Sequence, residues 1–183
     1  MDIFLVRHGE AAASWGQSSD PGLSDLGKDQ AEATAKELLA LMPANIQLIS
    51  SPLLRAQETA APLAKALAYP EVAIEKAYSE IPSPVALPQR QEWLRGFMKQ
   101  RWQEQPESLQ QWRNGMMEKL IALQKPTVVF SHFLVLNTVV GNLQGREETL
   151  CFWPDNASVT RLRHTGSGLE LVALGREMST VVN

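Results

Sequence analysis

The stretch Met1–Glu10, MDIFLVRHGE, decides how the rest of the chain is interpreted. Its apolar residues, Ile3 to Val6, run directly into Arg7 and His8 without a spacer. A continuous apolar run of this kind is typical of a strand that is buried on both faces of a parallel sheet. The pattern therefore predicts a buried strand that delivers a cation and an imidazole at its carboxyl end.

The composition is that of an ordinary globular protein. With 183 residues, of which 44% are hydrophobic and 20% charged, the chain can bury a substantial core, so we expect one domain over residues 1–183. The net charge of −3 argues against a nucleic-acid binder, which usually presents a basic face. A small anion site remains compatible with that charge, since a few arginines in one cleft barely change the total.

The apolar runs and the single cysteine indicate where in the cell we expect the protein to be. No apolar run approaches the roughly 20 residues that span a bilayer, so we expect no contact with a membrane. The first apolar run stops at Arg7, which is too early for an export signal. Cys151 is the single cysteine, which excludes an internal disulfide and a cysteine-based zinc site. A reduced, cytoplasmic location is therefore expected.

Strand and helix signals alternate along the chain, which predicts an α/β fold. We expect three α/β/α layers, with a mostly parallel central sheet and an antiparallel hairpin at its C-terminal edge. A helical insertion at about 81–125 opens with the proline-rich segment IPSPVALP. The predicted strands cover residues 3–6, 46–49, 72–74, 127–130, 157–163 and 169–174, and the predicted helices cover 24–42, 53–68, 89–105, 107–123 and 134–143.

Two of the three histidines directly follow predicted strands. His8 comes after the first strand beside Arg7, and His132 comes after the apolar run at 127–130. Arg55 stands about one helical turn beyond another predicted strand. Because ligands bind beyond the carboxyl ends of the strands in such sheets, we expect these side chains to meet at one edge.

This set of side chains suits phosphoryl transfer. Guanidinium groups present paired donors that match phosphate oxygens. A neutral imidazole can attack phosphorus, and a second imidazole with neighbouring cations can neutralise the charge that spreads over the equatorial oxygens. The sequence has neither the G-x-x-x-x-G-K-[ST] nor the G-x-G-x-x-G nucleotide loop and no H-E-x-x-H or cysteine cluster, so we expect no cofactor and no metal.

The segments FLVRHGE, ISSPLLRAQETAAPLA, TVVFSH and PDNASVTRL resemble, in this order, the histidine phosphatase superfamily of phosphoglycerate-mutase-like enzymes. The resemblance covers most of the chain and is weakest at residues 81–125. It implies that His8 is the nucleophile, that Arg7 and Arg55 bind the phosphate, and that His132 completes the phosphate pocket. Glu80, in AYSEIPSP, matches the family's general acid.

Two positions depart from the family pattern. Phe133 stands where the family often has glycine after the second histidine, and Ser14 stands where it often has asparagine. We expect both to contact phosphate, Phe133 through its backbone N–H and Ser14 through its hydroxyl. The bulk of Phe133 is expected to narrow the approach to the pocket.

The resemblance implies a metal-independent phosphomonoesterase, a histidine acid-type phosphatase, that hydrolyses a small phosphorylated substrate through a phosphohistidine. Two alternatives stay open. A mutase would return the phosphoryl group to the same molecule, and a phospholigand-binding module would keep the fold without turnover. One of the insertion's cations, Arg90, Arg95, Lys99 or Arg101, is a candidate for reaching a second anionic group of the substrate. No oligomeric state is favoured.

Overall fold

The computed structural model describes residues 1–13, 19–68 and 71–179 of the chain, which form a six-stranded sheet with helices on both faces. The sheet order is β3-β2-β4-β1-β5-β6, in which β3, β2, β4 and β1 are parallel neighbours and β5 and β6 are antiparallel. The predicted fold class is therefore confirmed. The strands are β1 (Asp2–Arg7), β2 (Gln47–Ser50), β3 (Ala73–Ile74), β4 (Thr127–Ser131), β5 (Val159–His164) and β6 (Leu169–Ala173).

Two apolar layers lie on opposite faces of the sheet. Because successive side chains of a strand point to opposite faces, Ile3 and Leu5 join the layer under α4 and α5, while Phe4 and Val6 join the layer under α1 and α2. All four side chains are fully buried, which explains the unbroken apolar run in the sequence. The helices are α1 (Asp25–Leu41), α2 (Leu54–Ala66), α3 (Arg90–Phe97), α4 (Glu107–Ile121) and α5 (Phe133–Leu143).

The apolar side chains of α2 indicate only part of its inward face. A stripe through them predicts that Leu54, Ala61, Ala64 and Leu67 point inward. Ala64 and Leu67 do pack against the apolar layer, whereas Leu54 and Ala61 are exposed. The stripe also misses the polar Arg55 and Thr59, which are buried and turn toward the end of β1.

The insertion packs against the start of α5. The predicted helix at 89–105 ends already at Phe97 as α3, and a short 3₁₀ turn follows at Trp102–Glu104. Leu94, Phe97 and Trp102 are almost completely buried in a third apolar cluster, together with Phe133 of α5. The insertion therefore lies beside the residue that follows His132.

The loop after β1 touches the first turn of α1 backbone to backbone. An ideal Cβ on Gly9 would lie 2.6 Å from the carbonyl oxygen of Gly27, and one on Gly27 would overlap the carbonyl oxygen of Glu10. The N–H of Ser24, the residue that caps α1, donates to that same Glu10 oxygen at 2.9 Å. Glycine is therefore required at both positions for the residue after His8 to be held against α1.

We expect the substitution Gly27→Ala to lower the free energy of unfolding by about 2–3 kcal/mol, because the added methyl group would collide with backbone that cannot move aside cheaply. Gly115→Ala is the matched control, since it also lies within a helix and nothing lies within 4 Å of its added Cβ. The control should raise stability by about 0.5–1 kcal/mol. Urea unfolding measures both values, and equal effects at the two positions would contradict the backbone contact.

Candidate active site

The carboxyl ends of three adjacent parallel strands bring the predicted side chains together. The register of β1 and β4 pairs Arg7 with Ser131, so that His8 and His132 both follow this pair. Their ring centroids lie 5.3 Å apart. Arg55, in the first turn of α2, reaches the same point from the end of β2. The sheet edge that the sequence predicts thus gathers both imidazoles and two guanidinium groups.

Hydrogen bonds at both ring nitrogens define the state of His8. Nδ1 lies 2.7 Å from the carbonyl oxygen of Gly9, which can only accept, so Nδ1 carries the proton. The Nε–H of Arg55 donates to Nε2 at 3.1 Å, so Nε2 presents its lone pair. Burial, followed by the charges of Arg55 and Arg7, lowers the pKa of His8 to about 3. His8 is therefore a neutral imidazole whose basic nitrogen faces a guanidinium group.

Thr59 fixes the backbone next to His8, and sequence reasoning missed it. Its hydroxyl oxygen accepts from the N–H of Gly9 at 3.0 Å and its proton goes to the carbonyl oxygen of Arg55 at 2.7 Å. One buried side chain thus joins the loop after β1 to the turn that carries Arg55. The available signal was its position four residues after Arg55, on the same helix face.

His132 is completely buried and is oriented by Ser51, a second residue without an assigned role. The Ser51 hydroxyl lies 2.7 Å from Nε2 of His132 and accepts from the N–H of Leu53 at 3.1 Å. The hydroxyl proton of Ser51 has no other acceptor among the described residues, so the hydroxyl is assigned as the donor to Nε2, and the ring proton then lies on Nδ1. Nδ1 is buried with no partner among the described residues. Burial lowers the pKa of His132 well below its ordinary value.

Arg7 has hydrogen-bond partners at one terminal nitrogen of its guanidinium group, while its Nε has none among the described residues. One terminal nitrogen donates to the carbonyl oxygen of Pro154 at 2.8 Å and contacts the sulfur of Met178 at 3.4 Å. The guanidinium carbon lies 5.1 Å from the ring centroid of Phe133, a cation–π arrangement. Its Nε is buried without a partner in the described part of the chain. Arg7 and His132 thus each hold an unused buried nitrogen at this site.

Glu80 lies at the start of α5, the helix that follows His132, and its charge acts on Arg7 and Arg55. Its carboxylate oxygens accept from the N–H of Ile81 at 2.9 Å and from that of Leu134 at 3.3 Å. Burial raises the pKa of Glu80, while these two hydrogen bonds and the charges of Arg55 and Arg90 oppose the rise. The carboxyl group is therefore biased toward its protonated form in a strongly cationic setting.

Arg90 is the insertion cation whose charge acts on this site. It donates to the carbonyl oxygen of Ile81 at 2.8 Å, and its charge lowers the pKa of both Glu80 and His132. Arg101 acts instead on Glu148, away from the histidines. The helical insertion thus contributes one arginine to the edge where the strands end.

The remaining candidates have different surroundings. Ser14 lies outside the described residues. The ring of Phe133 packs between Arg7 and Trp153. His164 bonds the carbonyl oxygen of Ile121 at 2.7 Å and lies at the opposite edge of the sheet from His8.

The described residues were also searched for metal sites and for membrane spans. Among these residues, no group of three or more His, Cys, Asp or Glu side chains is arranged to hold a metal ion. No helix among those residues is long and apolar enough to cross a membrane.

Comparison with known proteins identifies the family. A comparison with curated proteins finds no match. Among solved structures, a mutant phosphoserine phosphatase from Entamoeba histolytica in complex with phosphoserine matches with a TM-score of 0.73 and 22% identity, over 94% of this chain and 95% of that one. The same phosphatase in complex with 3-phosphoglyceric acid gives a TM-score of 0.72 and 22% identity, over 97% and 98% of the two chains.

A mycobacterial glucosyl-3-phosphoglycerate phosphatase in complex with VO3 also has this fold, with a TM-score of 0.67 and 20% identity over 96% of this chain and 99% of that one. The family model described as histidine phosphatase superfamily (branch 1) matches residues 3–177. That match covers both strand ends that carry the histidines. The chain therefore belongs to branch 1 of the histidine phosphatase superfamily.

Proposed function

We propose that this protein is a phosphomonoesterase that hydrolyses a small phosphorylated molecule through a phosphohistidine on His8, without a metal ion. The observation that carries the proposal is a pair of buried nitrogens beside a neutral His8, Nε of Arg7 and Nδ1 of His132, which have no partner among the described residues. Buried donors without partners are rare in native proteins, and an anion with several oxygens would satisfy both.

The state of His8 supports a nucleophilic role. Attack by Nε2 forms the N–P bond as the bond from phosphorus to the leaving oxygen breaks, and the Nδ1–H bond to Gly9 then stabilises the positive ring. The lone pair must first be released, because Arg55 donates to it. Phosphate oxygens are stronger acceptors for a guanidinium group than an imidazole is, so substrate binding itself draws Arg55 away and frees the nucleophile.

The surrounding donors support charge stabilisation in the transition state. Arg7 is a cation held by Pro154, and His132 offers a neutral N–H from a ring that Ser51 orients. These two groups are held before substrate arrives, so they need little rearrangement as charge spreads over the equatorial oxygens. Arg55 joins them once it has moved from His8 to the phosphate. Water then attacks phosphorus, the N–P bond breaks, and His8 returns to its neutral state with release of phosphate.

The raised pKa of Glu80 supports its role as the proton donor. A carboxylic acid that stays protonated can deliver its proton to the departing alkoxide and take one back from the attacking water. The protonated form is present below that raised pKa, which favours an enzyme of the acid type.

Arg90 and the similar structures support a substrate of small size that carries a further anionic group. Arg90 brings a third guanidinium to the edge that already has Arg7 and Arg55. The Entamoeba phosphatase of the same fold is found with phosphoserine and with 3-phosphoglyceric acid. Hydrolysis is proposed over mutase-type transfer because the short, proline-rich insertion is a poor lid for keeping water out.

His8→Ala is expected to lower the kcat for p-nitrophenyl phosphate by at least about 10³-fold, because the nucleophile is lost. The assay runs with EDTA, which should leave the wild-type rate unchanged. A phosphoenzyme that survives alkali and breaks down in acid should form in the wild-type protein and be absent from the variant. The matched control, His164→Ala, removes the imidazole at the opposite sheet edge and should keep full activity.

Other outcomes of this assay point to other functions. Loss of the wild-type rate with EDTA would contradict the metal-free mechanism. Binding of phosphoesters without turnover of any of them would identify a binding module. Return of the phosphoryl group to a second hydroxyl of the same substrate would identify a mutase.

Glu80→Gln should lower kcat/KM most for substrates whose leaving group must be protonated as it departs. We expect a loss of about 10²-fold or more in kcat/KM for phosphoserine, whose alkoxide is a poor leaving group, and a much smaller loss for p-nitrophenyl phosphate. Because the acid must be protonated, the wild-type kcat/KM for phosphoserine should fall as pH rises through the raised pKa of Glu80. The variant should lack this fall. Equal losses for the two substrates would rule out proton donation by Glu80.

A further inference from the structure

A partly exposed apolar rim adjoins Arg7, the last residue of β1. It consists of Phe133, Trp153 and Met178, and we refer to these three residues as the aromatic rim. Trp153 is 44% exposed and Met178 is 39% exposed, while Phe133 is buried behind them at 8%. Among the described residues Trp153 is the one exposed tryptophan, and its ring packs on Phe133, which in turn lies against the Arg7 guanidinium group.

The aromatic rim is built directly onto Arg7. The ring centroids of Phe133 and Trp153 lie 5.5 Å apart, and the Arg7 guanidinium carbon lies 5.1 Å from the Phe133 centroid. The sulfur of Met178 contacts the terminal nitrogen of Arg7 that also bonds Pro154, the neighbour of Trp153. The position of Trp153 is therefore fixed relative to Arg7, the proposed phosphate ligand.

The backbone that carries Trp153 is held on both sides. Its N–H donates to the carboxylate of Glu177 at 3.1 Å, and its carbonyl oxygen accepts from the N–H of Met178 at 2.8 Å. An ion pair at 3.1 Å between Arg176 and Asp155 joins the same two segments. An aromatic ring on such a backbone loses little conformational entropy when a ligand stacks on it.

The aromatic rim also borders the proposed proton donor. Phe133 is the first residue of α5, and the N–H of the next residue, Leu134, donates to the carboxylate of Glu80. The leaving oxygen of a substrate must lie at Glu80 to receive its proton. The group attached to that oxygen therefore begins next to Phe133, with Trp153 as the exposed apolar surface further out.

We propose that Trp153 is a specificity residue that binds the leaving group by stacking, and that the preferred substrates are small phosphate monoesters whose alcohol carries a flat, apolar ring besides the anionic group proposed above. This inference rests on the proposed phosphomonoesterase activity and adds the chemical class of the leaving group. Stacking on Trp153 and transfer of a proton from Glu80 then act on the two ends of the same alcohol.

Benzyl phosphate and ethyl phosphate test the proposal, because both release an alkoxide and they differ chiefly in the ring. Trp153→Ala should lower kcat/KM for benzyl phosphate about tenfold, mainly through KM, and change that for ethyl phosphate less than about twofold. Trp153→Phe should retain most of the preference. Leu41→Ala, a truncation of an exposed apolar side chain at the far end of α1, should change neither value.

The proposed preference is disproved if Trp153→Ala lowers kcat/KM equally for the two esters, because Trp153 would then act by positioning Arg7. It is also disproved if the substitution changes kcat/KM for neither ester. Failure of the proposed function is a separate result, in which the wild-type protein hydrolyses neither ester. Calorimetric binding of benzylphosphonate decides the inference in that case as well. The wild-type protein should bind it about tenfold more tightly than Trp153→Ala does, and equal affinity would overturn the stacking role. Urea unfolding of both variants checks that they are folded.

Discussion

The two hydrogen bonds at the His8 ring are the constraint on which the site depends. The Gly9 carbonyl fixes the proton on Nδ1, and the Arg55 Nε–H faces the lone pair on Nε2. The other tautomer would present an N–H to a guanidinium group, which cannot accept, and a ring turned by 180° would place carbon atoms against both partners. One tautomer in one orientation therefore satisfies both neighbours. The backbone contact of Gly9 with Gly27 and the hydroxyl of Thr59 serve this arrangement, since they hold the carbonyl and the α2 turn at their required separation.

Burial of the arginines at the site destabilises their charged forms, and a bound anion would offset this destabilisation. Desolvation lowers the pKa of Arg7, Arg55 and Arg90 alike, which means that their charged forms are destabilised where they lie. The nearest acid, Glu80, compensates only in part, because burial favours its neutral form. The free site therefore holds more positive than negative charge in a poorly solvated space. A phosphate monoester, the substrate class proposed above, would supply the missing charge and also acceptors for the nitrogens of Arg7 and His132 that have no partner among the described residues.

The sequence predicts the strand ends well and the side-chain network poorly, and the two outcomes have one cause. Runs such as Ile3 to Val6 are buried on both faces, so their continuous apolar character identifies strands and makes the next polar residue the edge of the sheet. The orientation of α2 depends instead on inward polar groups, Arg55 and Thr59, which an apolar stripe does not register. Trp153 could not be connected with Arg7 from the sequence, because that contact joins a loop near the C-terminus to the first strand.

Three groups of the candidate site meet at the start of α5. His132 caps this helix, Phe133 is its first residue, and the N–H of Leu134 donates to Glu80. Arg90 bonds the carbonyl oxygen of Ile81, so the backbone next to Glu80 is held by the insertion. With Glu80 as the proposed proton donor, a change in the insertion would alter both the entry of the alcohol and the position of its acid. The positions of the two histidines are set by the sheet, because His8 follows β1 and His132 follows β4, and these strands are paired neighbours. The charge of Arg90 nevertheless acts on His132 and lowers its pKa.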